Sequence, residues 1–157
     1  MMRTVVVLGN DKIAGSVSAK LDNTIDGIKV VVDRSTSIKR VKNLIQGKVL
    51  SPSLIIKMAL CEFVRSNSKP DNELQGISSN LDLLGIIEDF KPDRLILFRA
   101  GLIITKKILD AGIPVLNIHA ATVPDFGGLG SIDKALKAKR YKQSACLHVV
   151  TSRIDEG

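Results

Sequence analysis

The sequence predicts an α/β protein built on a doubly wound, mostly parallel sheet. Short β-branched or apolar runs recur at Thr4 to Leu8, Ile28 to Val32, Leu95 to Phe98, Ile113 to Ile118 and Ser144 to Val150. Segments with apolar residues at helical spacing lie between them. The runs are close to continuous and do not alternate with polar residues, as expected of strands covered on both faces. Strands that take turns with helices are joined by crossovers, and crossovers build parallel sheets.

Thr4 to Leu8 (TVVVL) reads as a buried first strand, and Gly9-Asn10-Asp11 turns the chain after it. Ile13 to Leu21 follows with apolar side chains at 13, 14, 17 and 21, the spacing of one helix face. Ile28 to Val32 is the second strand. Ser35 to Gln46 is helical, with Ile38, Val41, Leu44 and Ile45 on one face and Gly47 as the stop. Ser51-Pro52 supplies an N-cap and a first-turn proline for a helix over Leu54 to Val64. That helix is apolar enough to be either buried or a partner-binding surface. Ser66 to Gln75, polar and holding Pro70, is a loop, and Ser79 to Phe90 is a further helix. Leu95 to Phe98 is the third strand, and Thr105 to Ala111 a helix stopped by Gly112. Ile113 to Ile118 is the fourth strand, with Pro114 near its start where a missing N–H does least harm. His119 to Gly130 is a loop, Ser131 to Lys139 a helix, and Ser144 to Val150 the fifth strand.

At 157 residues the chain is expected to form a single domain, 1–157, with no internal repeat or low-complexity linker. Its 45% apolar and 25% charged residues are ordinary for a soluble globular protein. No apolar stretch is long enough for a bilayer, and the short N-terminal run reads as a strand and not as a signal peptide. Cys61 and Cys146 stand apart with no CxxC, which favours a reduced, cytoplasmic chain. The net charge is +7, but the basic residues are scattered over several helices, with one tyrosine and no tryptophan. That composition favours a solvated surface attracting small anions over a nucleic-acid groove.

The most informative residues are Asn117-Ile118-His119, at the end of the fourth strand. Side chains two apart on a strand point the same way, so a carboxamide and an imidazole share one face. The glycine-rich loop Asp125-Phe126-Gly127-Gly128-Leu129-Gly130 follows. Asp155, later in the chain, could join them as an acid from a second strand. A hydrogen-bond donor, a titratable base and an orienting acid are the parts needed to pass an acyl group to an amine. His148, between Leu147 and Val149, is expected to hold a structural hydrogen bond and not to act in catalysis. With two histidines far apart and no HxxxH or CxxC, no metal site is expected. The turn Gly9-Asn10-Asp11 offers free amides at a helix N-terminus, yet it lacks GxGxxG and carries an acid that repels phosphate.

Two segments carry a family resemblance. Asn117-Ile118-His119-Ala120-Ala121-Thr122-Val123-Pro124-Asp125-Phe126-Gly127-Gly128 resembles the folate-dependent formyltransferase signature Asn-[Ile/Leu]-His-Pro-x-x-Leu-Pro-x-[Tyr/Phe]-x-Gly. Cys146-Leu147-His148-Val149-Val150-Thr151-Ser152-Arg153-Ile154-Asp155-Glu156-Gly157 is similar to the family's later Thr-x-His-x-Val-x-x-x-x-Asp-x-Gly. Both occur in order and at the expected separation. The resemblance is firm from about Ser79 to Gly157 and looser before it.

Members of that family formylate phosphoribosylglycinamide, methionyl-tRNA or amino sugars on a Rossmann-like domain. The resemblance implies 10-formyltetrahydrofolate as formyl donor, no metal, and Asn117, His119 and Asp155 as the catalytic trio. It implies a folate pocket from Gly101, Leu102, Ile103 and Ile104 after the third strand, completed by Thr151, Ser152, Arg153 and Ile154. Gly9, Asn10 and Gly128 fall on the acceptor side. The expected acceptor is the primary amine of a small, phosphorylated molecule such as phosphoribosylglycinamide, which would place the chain in purine biosynthesis. An amino sugar is the alternative, and a non-catalytic folate- or partner-binding relative a third. No membrane or nucleic-acid partner is expected, and a homodimer is compatible.

The chain also departs from the pattern. Ala120 stands where the family has proline, which predicts a less firmly held His119. Leu102 replaces a common arginine, and Gly9-Asn10-Asp11 replaces a glycine-serine-asparagine phosphate loop. Family members continue past the position of Gly157, so a C-terminally truncated or degenerate chain is expected.

Overall fold

The computed structural model describes residues 1–21 and 25–152. Six strands form one sheet in the order β3-β2-β1-β4-β5-β6. These are β1 (Thr4–Gly9), β2 (Ile28–Asp33), β3 (Gly76–Ile77), β4 (Arg94–Phe98), β5 (Val115–His119) and β6 (Cys146–Val149). The helices are α1 (Lys12–Ser18), α2 (Ile38–Gln46), α3 (Pro52–Val64), α4 (Asn80–Phe90), α5 (Lys106–Leu109) and α6 (Ser131–Lys137). The pairs β1–β2, β1–β4, β2–β3 and β4–β5 are parallel, and β5–β6 is antiparallel.

The doubly wound, mostly parallel sheet is as the sequence predicts, with one strand more than the five expected. That strand, β3, is two residues long and too short to show any period. Helix ends differ by a few residues. The helix expected over Thr105 to Ala111 is only Lys106–Leu109, and that expected over Ser131 to Lys139 stops at Lys137.

Both sheet faces are covered, which explains the continuous apolar runs. On one side Val5, Val7, Val31, Leu95, Leu97 and Val115 pack with Leu83 and Ile86 of α4 and Ile108 of α5. On the other, Val6, Leu8 and Val30 pack with Ala14 of α1. The helix α4 is fixed at its start by a capping box. The Ser79 hydroxyl accepts from the Asp82 N–H at 3.3 Å and the Asp82 carboxylate accepts from the Ser79 N–H at 3.1 Å.

The apolar helix α3 buries no residue. Ile56, Leu60, Phe63 and Val64 stand exposed, Phe63 at 83%. Of the two expectations for this helix, burial in the core is therefore not met. Ser51 caps it, accepting from the Leu54 N–H at 3.2 Å. Among the described residues, no helix is long and apolar enough to cross a membrane.

Candidate active site

The strands β1, β2, β4 and β5 all run one way, so Gly9, Asp33, Phe98 and His119 come together at the carboxyl edge of the sheet. Ligands of open α/β sheets bind at that edge. Asn117 and His119 share a face of β5 with Val115. Across the ladder Asn117 pairs with His148 and His119 with Cys146. Directly opposed residues of an antiparallel pair project to the same side. The face therefore reads Val115, Asn117, His119 on β5 beside Val150, His148, Cys146.

The Asn117 Nδ2 group donates to His148 Nε2 at 3.2 Å, and His148 Nδ1 contacts the Val149 carbonyl at 3.2 Å. This chain of contacts fits a neutral His148 with its proton on Nδ1. It aims the amide and gives the buried histidine the structural role that the sequence predicts for it. His119 is held by its own loop. Its Nδ1 lies 2.9 Å from the Ala121 carbonyl and 3.4 Å from the Ala121 N–H, one partner for each tautomer. The Cys146 thiol donates to the same carbonyl at 3.4 Å. The proline absent at Ala120 thus has a substitute, because a hydrogen bond to Ala121 fixes the ring. The two imidazoles lie edge to face with centroids 6.3 Å apart.

A cavity of about 580 Å³ opens at the Val115 end of this face. Its walls include Ile104, Leu109, Ile113, Val115, Val150 and Thr151, so the loop after β4 meets the segment after β6. Of the folate-side residues expected from the sequence, Ile104, Thr151 and Ser152 line it. Gly101, Leu102 and Ile103 do not. Leu102 packs on the core and Ile103 is 60% exposed. Arg153, Ile154 and Asp155 lie outside the described residues. Asn117 and His119 adjoin the cavity along the strand and do not line it.

The turn after β1 is tied to the loop after β4. Asp11 is the N-cap of α1, accepting from the Ala14 N–H at 2.8 Å, and its other oxygen accepts from Arg99 Nε at 2.5 Å. Arg99 has a left-handed backbone, φ 58°. A Cβ on Gly9 would collide with the Arg99 carbonyl oxygen, so only glycine permits this approach. Asn10 is exposed. In the glycine-rich loop Gly128 has φ 76°, and Lys134 Nζ donates to the Gly127 carbonyl at 2.8 Å. Among the described residues no group of His, Cys, Asp or Glu is placed to hold a metal ion.

Sequence reasoning missed Asp33. This carboxylate, 2% exposed, ends β2 and accepts from the N–H groups of Gly101 (2.5 Å), Leu102 (2.7 Å) and Ser35 (2.8 Å). It also missed Asn80, whose amide donates to the Ile103 carbonyl at 2.9 Å and whose Oδ1 accepts from the Thr105 N–H at 3.1 Å. An acid closing an apolar strand was the available signal for Asp33. No local pattern marks Asn80.

Sheet and site together define a doubly wound α/β domain with a carboxamide and an imidazole on one face of β5. The sequence profile of the formyl transferase family matches residues 6–157, and the chain belongs to that family. It is 26% identical over 154 residues to a methionyl-tRNA formyltransferase of Francisella tularensis subsp. novicida, covering 98% of this chain and 46% of that protein. The chain thus spans about half the length of the curated relatives it matches. Among solved structures, phosphoribosylglycinamide formyltransferase from Anaplasma phagocytophilum superposes with a TM-score of 0.63 at 16% identity, covering 99% of this chain and 68% of the other. A 4-N formyltransferase from Francisella tularensis gives 0.59 at 16% identity, covering 98% and 52%. At these identities the structural likeness speaks for the fold.

Proposed function

We propose that the protein is an N-formyltransferase that moves a formyl group from 10-formyltetrahydrofolate to the primary amine of a small acceptor. One observation supports this best. A single face of β5 leads from the cavity at Val115 through Asn117 to His119. The step from Val115 to Asn117 is about 6.5 Å of strand. The cavity is of the size that takes a drug-sized ligand. Apolar walls from Ile104, Leu109, Val115 and Val150, with Lys106, Asp110, Thr151 and Ser152 adding polar groups to the lining, suit a flat ring bearing hydrogen-bonding atoms. When bound, the donor supplies an electrophilic formyl carbon carried by the nitrogen one methylene away from that ring.

The chain's own residues then do three things. Asn117 Nδ2, aimed by His148, donates to the formyl oxygen as it gains negative charge. His119 Nε2 takes the proton lost by the attacking amine and returns it to the departing folate nitrogen. Asp155, assigned by the motif, steadies that proton network. A C–N bond to the acceptor forms, the C–N bond to folate breaks, and no electron is gained or lost. Arg153 and Ile154, assigned in the same way, complete the folate side, and Gly9, Asn10 and Gly128 face the acceptor.

Phosphoribosylglycinamide and an amino sugar are the two acceptor readings. The amino sugar gains support from Asp11, which fills the first turn of α1 where a phosphate would otherwise find free amides. The test mixes the full-length protein with 10-formyltetrahydrofolate and a panel of phosphoribosylglycinamide, nucleotide-linked amino sugars and methionyl-tRNA. Tetrahydrofolate is expected with one acceptor only and to vanish in His119→Ala. Formate release without an amine would replace the reading with a hydrolase, and binding without turnover with a non-catalytic relative.

A further inference from the structure

We infer that Asp33 is a positioning residue that sets the donor-binding loop 101–104 in place. The inference rests on the reading of that loop as part of the formyl-folate site. Asp33 lies on β2, with β1 and β4 between it and β5. It acts through backbone. One carboxylate oxygen, Oδ2, accepts from both Gly101 and Leu102, while Oδ1 accepts from Ser35. Two consecutive amides turned toward one oxygen fix the direction of the peptide planes at 101 and 102. That direction decides where Ile104, two residues on, meets the cavity.

The rest of the loop is held on either side. Arg99 is tied to Asp11 before it, and Ile103 and Thr105 are tied to Asn80 after it. Between these two anchors Asp33 is the described side chain that holds the bend itself. Gly101 has no Cβ, and one placed there would come to 3.1 Å from the Thr36 hydroxyl. A larger residue at 101 would have to push the Thr36 side chain aside to keep these bonds.

A different use of an acid at this strand end is ruled out by the same bonds. In dinucleotide-binding sheets an acidic residue near the end of the second strand accepts from a ribose hydroxyl. Here the carboxylate is buried and occupied by three amides, so its acceptor capacity faces the protein.

The test compares Asp33→Asn with Val6→Ala, a core change on the opposite face of the sheet, in the full-length protein. A neutral amide in place of the carboxylate weakens both loop bonds. Asp33→Asn is expected to raise KM for 10-formyltetrahydrofolate by about tenfold, with kcat and the acceptor KM within about threefold. Val6→Ala is expected to lower the melting temperature without moving the donor KM. In the unaltered protein the Gly101 and Leu102 amides are expected to exchange with solvent at least about tenfold more slowly than that of Ile103. The inference is overturned if those amides exchange as fast as Ile103, or if Asp33→Asn loses stability but keeps its donor KM. A protein that neither binds nor uses formyl-folate would sink the functional reading alone, because amide exchange reads the clamp without any ligand.

Discussion

Asn117 and His148 depend on each other. In the proposed mechanism Asn117→Ala removes the donor to the oxyanion, and it is expected to cut kcat/KM by about 10²–10³. It also removes the Asn117–His148 hydrogen bond, which typically contributes about 0.5–1.5 kcal/mol, so activity and melting temperature should fall together. His148→Leu separates the two effects. It keeps the amide but lets it turn, and steady-state kinetics should show kcat falling by up to about 10² while donor KM holds. Asn117 and His119 were legible in the sequence because a period of two forces them onto one face. Asp33 and Asn80 were not, because their partners are backbone groups that only the strand order brings near. Asp155 is assigned by motif alone and lies outside the described residues.

The helix α4 offers a test of single elements. Ser79→Ala removes the N-cap and is expected to lower stability by about 1 kcal/mol in urea unfolding. The Ser78 N–H above all, helped by the Ser78 and Ser79 hydroxyls, holds the Asp82 carboxyl below its ordinary 3.8. A carboxyl lowered in the folded state adds stability above its unfolded pKa and loses it as pH falls through the lower, folded value. Melting curves below pH 4 should therefore show a loss on acidification that is smaller in Asp82→Asn. Strands with four or more apolar residues were legible as elements. The two-residue β3 was not, and nothing in residues 144–150 says that β6 runs against β5, since direction is set by connection and not by composition.

Over the whole molecule, stability is concentrated in the layers that flank the sheet. Leu95 and Leu83 are fully buried there, and either change to Ala is expected to cost about 2–5 kcal/mol in denaturant unfolding. The exposed helix α3 should behave differently. Phe63→Ser is expected to stay within about 0.5 kcal/mol of the parent protein in the same assay. The sequence pointed to that contrast only halfway, since a helix apolar all round reads the same whether it is covered or bare.

The turn at Gly9 has a consequence for how the gene can vary. Two loops from strands that neighbour each other in space meet there with no room for a single carbon, and the Asp11–Arg99 bond spans the same gap. A saturation library scored for folding alone should find position 9 closed to every replacement and its exposed neighbour Asn10 open to many. Tolerance along this chain would then drop sharply at one residue that carries no chemistry of its own.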